Sequence, residues 1–382
     1  MSQAVRLAKR GLYTCMPNPR VGCVLTKNNQ VIGQGWHHQT GKNHAEINAL
    51  QQAGGQARGA CAYVTLEPCS HYGRTPPCAK ALIRAGIAKV VVAMEDPNPE
   101  VSGKGTALLR QAGITVVSGL LQAEAEQLNP GYIRRMKTGI PFVRCKMAMS
   151  FDGRTAMASG ESKWITGAEA REDVQRLRGR SCAIITGIES VLADDPAMNF
   201  RAEASGLTID SALSARQPLR IIVDSSLRTP VTARLFSVPG PVIVICGHVN
   251  KVQQQKFYAD VMSRRKKKLH ESESHLEVIE LPGASGQIDL PGLFRLLGER
   301  QCNEILIEAG ATLAGYAIKH ALTDELWIYM AAVLMGSAAK PLFNLPLEKM
   351  SDKLLLKFND VRPIGQDWRF IATIKRSLKP EG

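Results

Sequence analysis

Thr65-Leu66-Glu67-Pro68-Cys69-Ser70-His71-Tyr72-Gly73-Arg74-Thr75-Pro76-Pro77-Cys78 decides how the first third of this chain folds. The run before it, Ala62-Tyr63-Val64, has the aromatic and β-branched composition of a strand. Pro76-Pro77 then halts the chain, and the apolar spacing from Cys78 to Gly86 predicts a helix that opens on the second cysteine. A thiol at a helix N-terminus meets the positive end of the helix dipole, which favours its thiolate. Upstream, His44-Ala45-Glu46 opens another predicted helix over 45–53. One imidazole, His44, and two thiolates, Cys69 and Cys78, make three ligands for a zinc ion. The fourth tetrahedral position stays free for solvent, as a catalytic site requires. A closed structural site would need a fourth ligand, for which Cys61 and His71 are the candidates.

Glu46 lies two residues beyond His44, close enough to exchange protons at that free position without being a ligand. Zinc lowers the pKa of water towards about 7, and a neighbouring carboxyl can move the proton. The order His-x-Glu, then Pro-Cys, then Cys is that of zinc-dependent base deaminases, except that eight residues separate the two cysteines here instead of two. The insert carries His71 and Arg74, suited to a substrate phosphate, or equally to a rigid, proline-braced surface loop.

Outward from these turns, the first block reads as strands at 21–26, 31–36, 61–66, 89–94 and 114–117. Helices are expected at 3–11, 45–53, 78–86 and 104–112, so the block is α/β with parallel pairing late in the order. A helix-like stretch over 123–137 ends at Gly139-Ile140-Pro141, which places a domain boundary there. The second block is again α/β. Strands are expected at 142–148, 182–186, 219–224, 241–246, 304–308, 325–333 and 368–375, the last two closing a sheet as an antiparallel pair, with helices at 167–179, 289–300 and 312–320. Glu308-Ala309-Gly310-Ala311-Thr312-Leu313-Ala314-Gly315 takes a strand through a glycine turn into a helix, a geometry that offers backbone N–H groups to an anion. It lacks the G-x-G-x-x-G fingerprint and can also be a plain tight bend.

The 382 residues carry 48 Lys and Arg against 34 Asp and Glu, a net charge of +14, which serves solubility or attracts anionic partners. The densest run, Arg264-Arg265-Lys266-Lys267-Lys268, has no interleaved aromatics and reads as a solvated helix face or loop. Nine cysteines, an odd number, with no secretory segment argue for reduced thiols and a cytoplasmic location. No apolar run is long enough to span a membrane.

Pro17-Asn18-Pro19-Arg20-Val21-Gly22-Cys23-Val24, His44-Ala45-Glu46, the stretch 65–78 and Asp96-Pro97-Asn98-Pro99 together resemble the bifunctional deaminase/reductase family of riboflavin biosynthesis. The resemblance runs from Leu7 to about Ile374. It implies a cytidine-deaminase-like α/β/α sandwich over 1–140 and a dihydrofolate-reductase-like domain over 141–382. It implies zinc and NADPH as cofactors and small phosphorylated pyrimidines as substrates. Asn18, His71, Arg74, Asp96 and Asn98 would line the deaminase pocket. NADPH would lie along Ala148, Trp164, Ser190, Asp194, Ser225 and the turn Gly310, Ala311, Thr312, Leu313, Ala314, Gly315 and Tyr316. The ribose phosphate would meet Ser162, Arg178, Met198, Arg201 and Glu308, with Glu308 or Asp194 as candidates to stabilise or protonate developing charge. Ser190 stands where that family usually has Thr, and keeps the hydroxyl. No nucleic-acid or membrane partner is expected, and the chain is expected to form a homo-oligomer, a dimer or tetramer. A different enzyme class, a tRNA or nucleic-acid base deaminase with an accessory binding domain, shares the metal chemistry and the basic charge. A zinc-stabilised anion-binding protein without catalysis is the non-enzymatic alternative.

Overall fold

A computed structural model describes residues 1–71, 76–208 and 216–375. It falls into two units, Met1–Pro141 and Phe142–Gly382.

The first unit runs α1 (Ser2–Lys9), β1 (Gly22–Lys27), β2 (Gln30–Trp36), α2 (Ala45–Ala53), β3 (Cys61–Val64), α3 (Cys78–Arg84), β4 (Lys89–Val92), α4 (Lys104–Gln111), β5 (Thr115–Ser118), α5 (Gln122–Leu128) and α6 (Pro130–Thr138). Its sheet has the order β2-β1-β3-β4-β5. The β1–β2 and β1–β3 pairs are antiparallel, while β3–β4 and β4–β5 are parallel. Leu25, Val64, Leu82, Val90, Val92 and Leu109 form the heart of its core, all fully buried. Two glycines let helices approach closely enough to set the site. A Cβ on Gly35 would lie 2.4 Å from Ala45 O at the start of α2, and one on Gly105 of α4 would lie 1.9 Å from Pro68 O. The helix expected over 123–137 is two helices. Asn129 leaves the helical region at φ −128°, ψ 41°, and Pro130, lacking an N–H, starts α6. Gly139 ends α6 at φ 72°.

The second unit contains β6 (Phe142–Ser150), β7 (Arg154–Ala156), α7 (Ala168–Gly179), β8 (Ala183–Gly187), α8 (Ile188–Asp194), β9 (Leu219–Val223), β10 (Val242–Cys246), α9 (Lys251–Lys268), β11 (Leu276–Glu280), α10 (Leu290–Glu299), β12 (Glu304–Ile307), α11 (Ala311–Lys319), β13 (Glu325–Ala331), β14 (Lys340–Pro341), β15 (Leu355–Ile364) and β16 (Asp367–Lys375). Nine strands form one sheet in the order β11-β10-β9-β8-β12-β6-β13-β16-β15. Pairing is parallel from β11 through β13, and the antiparallel pairs β13–β16 and β16–β15 complete one edge. The central strands are apolar on both faces, as a sheet covered on both sides requires. α8, α9, β11 and β15 went unforeseen.

The basic run corrects an expectation. Arg264, Lys266, Lys267 and Lys268 are exposed on the last turn of α9, but Arg265 is fully buried. Its guanidinium donates to the carbonyls of Phe236, Gly240, Glu273 and Ser274. Arg220, also fully buried, donates to Leu235, Val238, Pro239 and Gly240. The two cations brace the 235–240 turn from both sides. Burial, then the neighbouring Arg265 charge, lowers Arg220 to about 9.

Candidate active sites

His44 caps the N-terminus of α2 with extended backbone (φ −70°, ψ 164°), Cys69 follows β3, and Cys78 begins α3. Their ligand atoms all lie within 4.8 Å of one another. Nδ1 of His44 is 3.6 Å from Cys69 Sγ and 3.3 Å from Cys78 Sγ. Two ligands on a tetrahedral zinc, at about 2.3 Å for sulfur and about 2.0 Å for nitrogen, would sit about 3.5 Å apart. The donor set and its spacing therefore fit zinc. Among the described residues no further His, Cys, Asp or Glu joins the group, Cys61 and His71 included. The hydrogen bond from Cys78 holds the Cys69 thiol far below its ordinary range, while Cys78 is pushed up by that bond and by burial. A divalent cation between them takes the place of the shared proton.

Glu46, on the first turn of α2, is 3% exposed. Burial first, then the Cys69 sulfur, push its carboxyl up to about 7. It also contacts the Cys78 thiol. A carboxyl in that range both takes and gives a proton near neutral pH.

Asn18 lies beside this centre through a residue that motif reading missed. The Asn18 side-chain amide is 3.0 Å from Nε2 of His37, whose Nδ1 is 3.1 Å from the Asn43 carbonyl. A carbonyl only accepts, so Nδ1 carries the proton and Nε2 accepts from Asn18. The His37 ring is 3% exposed and meets the His44 ring edge-on at 5.3 Å. Nothing in Trp36-His37-His38 distinguishes this histidine from its neighbours along the chain. Asp96 is buried, and its Oδ1 accepts from the Asn98 N–H at 2.9 Å and from the Tyr132 hydroxyl at 2.9 Å. His71 is exposed, with its charge acting on Asp96. Arg74 lies outside the described residues.

In the second unit a cavity of about 810 Å³ opens at the C-terminal ends of the parallel strands. Ala148, Ser162, Arg178, Ser190, Asp194, Met198, Ser225, Glu308, Gly310, Ala311, Thr312, Leu313 and Tyr316 all line it. Ser190 Oγ accepts the Gly310 N–H at 3.1 Å, so the hydroxyl at 190 fixes the turn that opens α11. Ser162 donates to Asp194 at 2.8 Å. Arg178 grips Glu308 with two bonds of 2.7 and 2.9 Å. Burial alone would raise the Glu308 carboxyl, but the Arg178 charge outweighs it and holds the group below its ordinary value.

Four expected residues do not line this cavity. Ala314 and Gly315 are buried, and a Cβ on Gly315 would lie 2.1 Å from Asn344 O. At about 100° per residue, Thr312, Leu313 and Tyr316 share one face of α11 and Ala314 turns away from it. Trp164 is 73% exposed, with Arg171 stacked 4.5 Å over its ring. Arg201 is exposed and its N–H bonds to Gln175. Conversely, Lys146 lines the cavity and was not foreseen. Burial lowers its pKa against the opposing pull of Glu308. Its signal was present: Arg144 and Lys146 are charged residues on one face of an otherwise apolar central strand. Arg144 is satisfied by Glu304 and Glu325, which leaves Lys146 for the cavity. The cavity volume lies within the range of cofactor sites. The α11 N-terminus on its wall suits a phosphate, so these residues fit a dinucleotide.

Comparison with known proteins finds a family model for each unit. The model of the cytidine and deoxycytidylate deaminase zinc-binding region matches residues 1–94, and that of the RibD C-terminal domain matches residues 141–370. The riboflavin biosynthesis protein RibD of Escherichia coli (strain K12) is 46% identical over 371 residues, covering 96% of each chain. The structure of Acinetobacter baumannii RibD, form 1, superposes with a TM-score of 0.87 at 45% identity, covering 98% of each chain. A Thermotoga maritima protein titled as a diaminohydroxyphosphoribosylaminopyrimidine deaminase/5-amino-6-(5-phosphoribosylamino)uracil reductase superposes with a TM-score of 0.80 at 29% identity, over 98% of this chain and 97% of that one. With a deaminase-type zinc centre in one unit, a reductase-type cavity in the other and this similarity along almost its whole length, the chain belongs to the RibD family of riboflavin biosynthesis proteins.

Proposed function

We propose that the chain catalyses two consecutive reactions. The first is hydrolytic deamination of 2,5-diamino-6-ribosylamino-4(3H)-pyrimidinone 5′-phosphate in residues 1–140. The second is NADPH-dependent reduction of the ribosyl side chain to ribityl in residues 141–382. The observation that carries the first step is the convergence of His44, Cys69 and Cys78 with the buried Glu46 carboxyl beside them. His44, Cys69 and Cys78 would hold zinc, which would supply hydroxide near neutral pH. Glu46 would carry the first proton released from the water to the ring nitrogen and the second, from the added hydroxyl, to the departing amine, so that ammonia leaves. Asn18, oriented by His37, together with His71, Arg74, Asp96 and Asn98, binds the pyrimidine nucleotide.

In the second unit NADPH supplies the hydride. The α11 N-terminus from Gly310 to Leu313, with Ser190 and Ser225, holds its phosphates and ribose. Ser162, Arg178 and Met198 face the phosphorylated substrate. Glu308, kept ionised by Arg178, is a fixed negative charge, Asp194 accepts from Ser162, and Lys146 is the proton donor to the opening sugar. The nucleic-acid deaminase alternative is not favoured, because the second unit matches a reductase domain and not an RNA-binding one.

The test is a coupled assay with the pyrimidine phosphate and NADPH. Cys69→Ser should abolish zinc retention and deamination while NADPH oxidation with the deaminated product persists. Turnover of tRNA alone, or loss of both activities in a folded Cys69→Ser protein, rejects the scheme.

The chain also assembles with copies of itself. Leu356, Phe358, Val361 and Trp368 form an exposed apolar strip on one face of the β15–β16 edge, and such a strip on a sheet edge is normally covered. Sedimentation at micromolar concentration should give a dimer or tetramer, and a monomer would refute this. A cytoplasmic site of action is supported by nine free cysteines, and no described helix is long and apolar enough to cross a membrane.

A further inference from the structure

We propose that Tyr132 is a positioning residue of the deaminase pocket: its hydroxyl pins Oδ1 of Asp96 and so leaves Oδ2 to accept a hydrogen bond from the substrate. The inference rests on the reading of Asp96 as a pocket residue and assigns a role to a side chain two helices away from the metal motif.

Asp96 lies in the segment that follows β4 and is 7% exposed. Its backbone and its carboxylate are held by separate devices. Glu67, two residues before Cys69, accepts the N–H groups of Asp96 at 3.2 Å, Gly103 at 3.0 Å and Thr106 at 3.0 Å. That buried carboxylate ties the 96–106 segment to the strand end that carries the metal ligand. It fixes where Asp96 is, but not how its side chain is turned. Rotation is set by the two donors on Oδ1, the Asn98 N–H and the Tyr132 hydroxyl, both at 2.9 Å. Oδ2 receives no hydrogen bond among the described residues. Oδ2 is thereby left to a hydroxyl or amino group of the nucleotide, which can donate to it.

Tyr132 is well placed to be rigid. Pro130 starts α6 and brings the ring into a cluster with Leu66, Ala93, Met94 and Ala125, where it is 8% exposed. The hydroxyl is the only part of the side chain that reaches the pocket segment, so its removal leaves the apolar packing in place. The charged groups around the pair are Glu67 and His71 facing Asp96, and Arg135 facing Tyr132. Neither Glu67 nor Arg135 makes a hydrogen bond to the Asp96 carboxylate, so neither can substitute for the hydroxyl.

The experiment compares Tyr132→Phe, Asp96→Asn and the double variant in the full-length, zinc-loaded protein. Tyr132→Phe should raise the KM for the pyrimidine phosphate about tenfold with kcat nearly unchanged, the signature of lost binding that is uniform between ground and transition states. The Kd for the same compound, measured on a Glu46→Gln background that binds without turnover, should rise by the same factor. In the double variant, Tyr132→Phe should add nothing to Asp96→Asn. Undiminished zinc content and an unchanged far-UV circular dichroism spectrum report that the first unit of each protein is folded. A purely structural tyrosine would lower the melting temperature and leave KM and Kd alone, and that result overturns the proposal. So does a full tenfold effect persisting in the Asp96→Asn background. If Asp96→Asn itself leaves KM and Kd unchanged, the assignment of Asp96 to the pocket falls, and the role of Tyr132 falls with it.

Discussion

The two units bury carboxylates to opposite effect. Glu46 sits in the first unit with burial as the largest influence, and its carboxyl is pushed up to about 7. Glu308 sits partly buried on the cavity wall of the second, but Arg178 grips both of its oxygens and its pKa moves down. One group is thereby made exchangeable at neutral pH, and the other is frozen as an anion. In the second unit the cation Lys146 lines the cavity, and its burial draws its pKa downward. Desolvation thus acts on one titratable side chain in each site, raising a carboxyl in the first and lowering an ammonium in the second. They differ in what holds the remaining charge, a metal in the first and an ion pair in the second.

The comparison breaks most readily at Glu46. Glu46→Gln keeps the shape and removes the exchangeable proton, so deamination should fall roughly 10²–10⁴-fold. Zinc content by atomic emission should stay at that of the parent, and reductase activity should be untouched. A variant that deaminates normally would show that the buried carboxyl is not the proton carrier. Next in size is Lys146→Met, expected to cut NADPH oxidation with the deaminated product by on the order of 10²-fold. Its deaminase rate should equal that of the parent, and a drop in both would mean that the two sites are not separable. The smallest effect is expected from Arg265→Met, which exposes the difference between a working and a structural buried cation. It strands the carbonyls of Phe236 and Ser274, while Gly240 keeps Arg220 and Glu273 keeps the Gly240 N–H, which should destabilise the second unit by about 1–3 kcal/mol in denaturant titration. KM for NADPH should not change, and a changed KM would place Arg265 in the cofactor site after all.

How far these features could be read in advance follows from their range along the chain. His44, Cys69 and Cys78 each sit at the junction of a strand or loop with a helix, and prolines and glycines mark those junctions locally. The strand–helix alternation was equally plain, including the antiparallel closure of β13 with β16. α9 was obscured because its buried stripe is only Phe257, Val261 and Arg265, with an arginine as one of its three members. β15 was obscured because almost every residue in it is exposed and no alternation survives. By resemblance Trp164 was placed along the cofactor and Arg201 at the ribose phosphate, whereas here both are exposed outside the cavity lining.

By itself the order of residues determined the alternation of strands and helices and pointed to the His44, Cys69 and Cys78 group with Glu46 beside it, since each depends on neighbours a few positions away. Only the tertiary structure decided which charges are internal and what they meet: Arg265 against four carbonyls, Lys146 beside Glu308, His37 behind Asn18, Tyr132 on Asp96. Burial is a property of segments far apart along the chain that fold against each other. A lysine or tyrosine carries no mark of whether its surroundings will be water or a desolvated pocket.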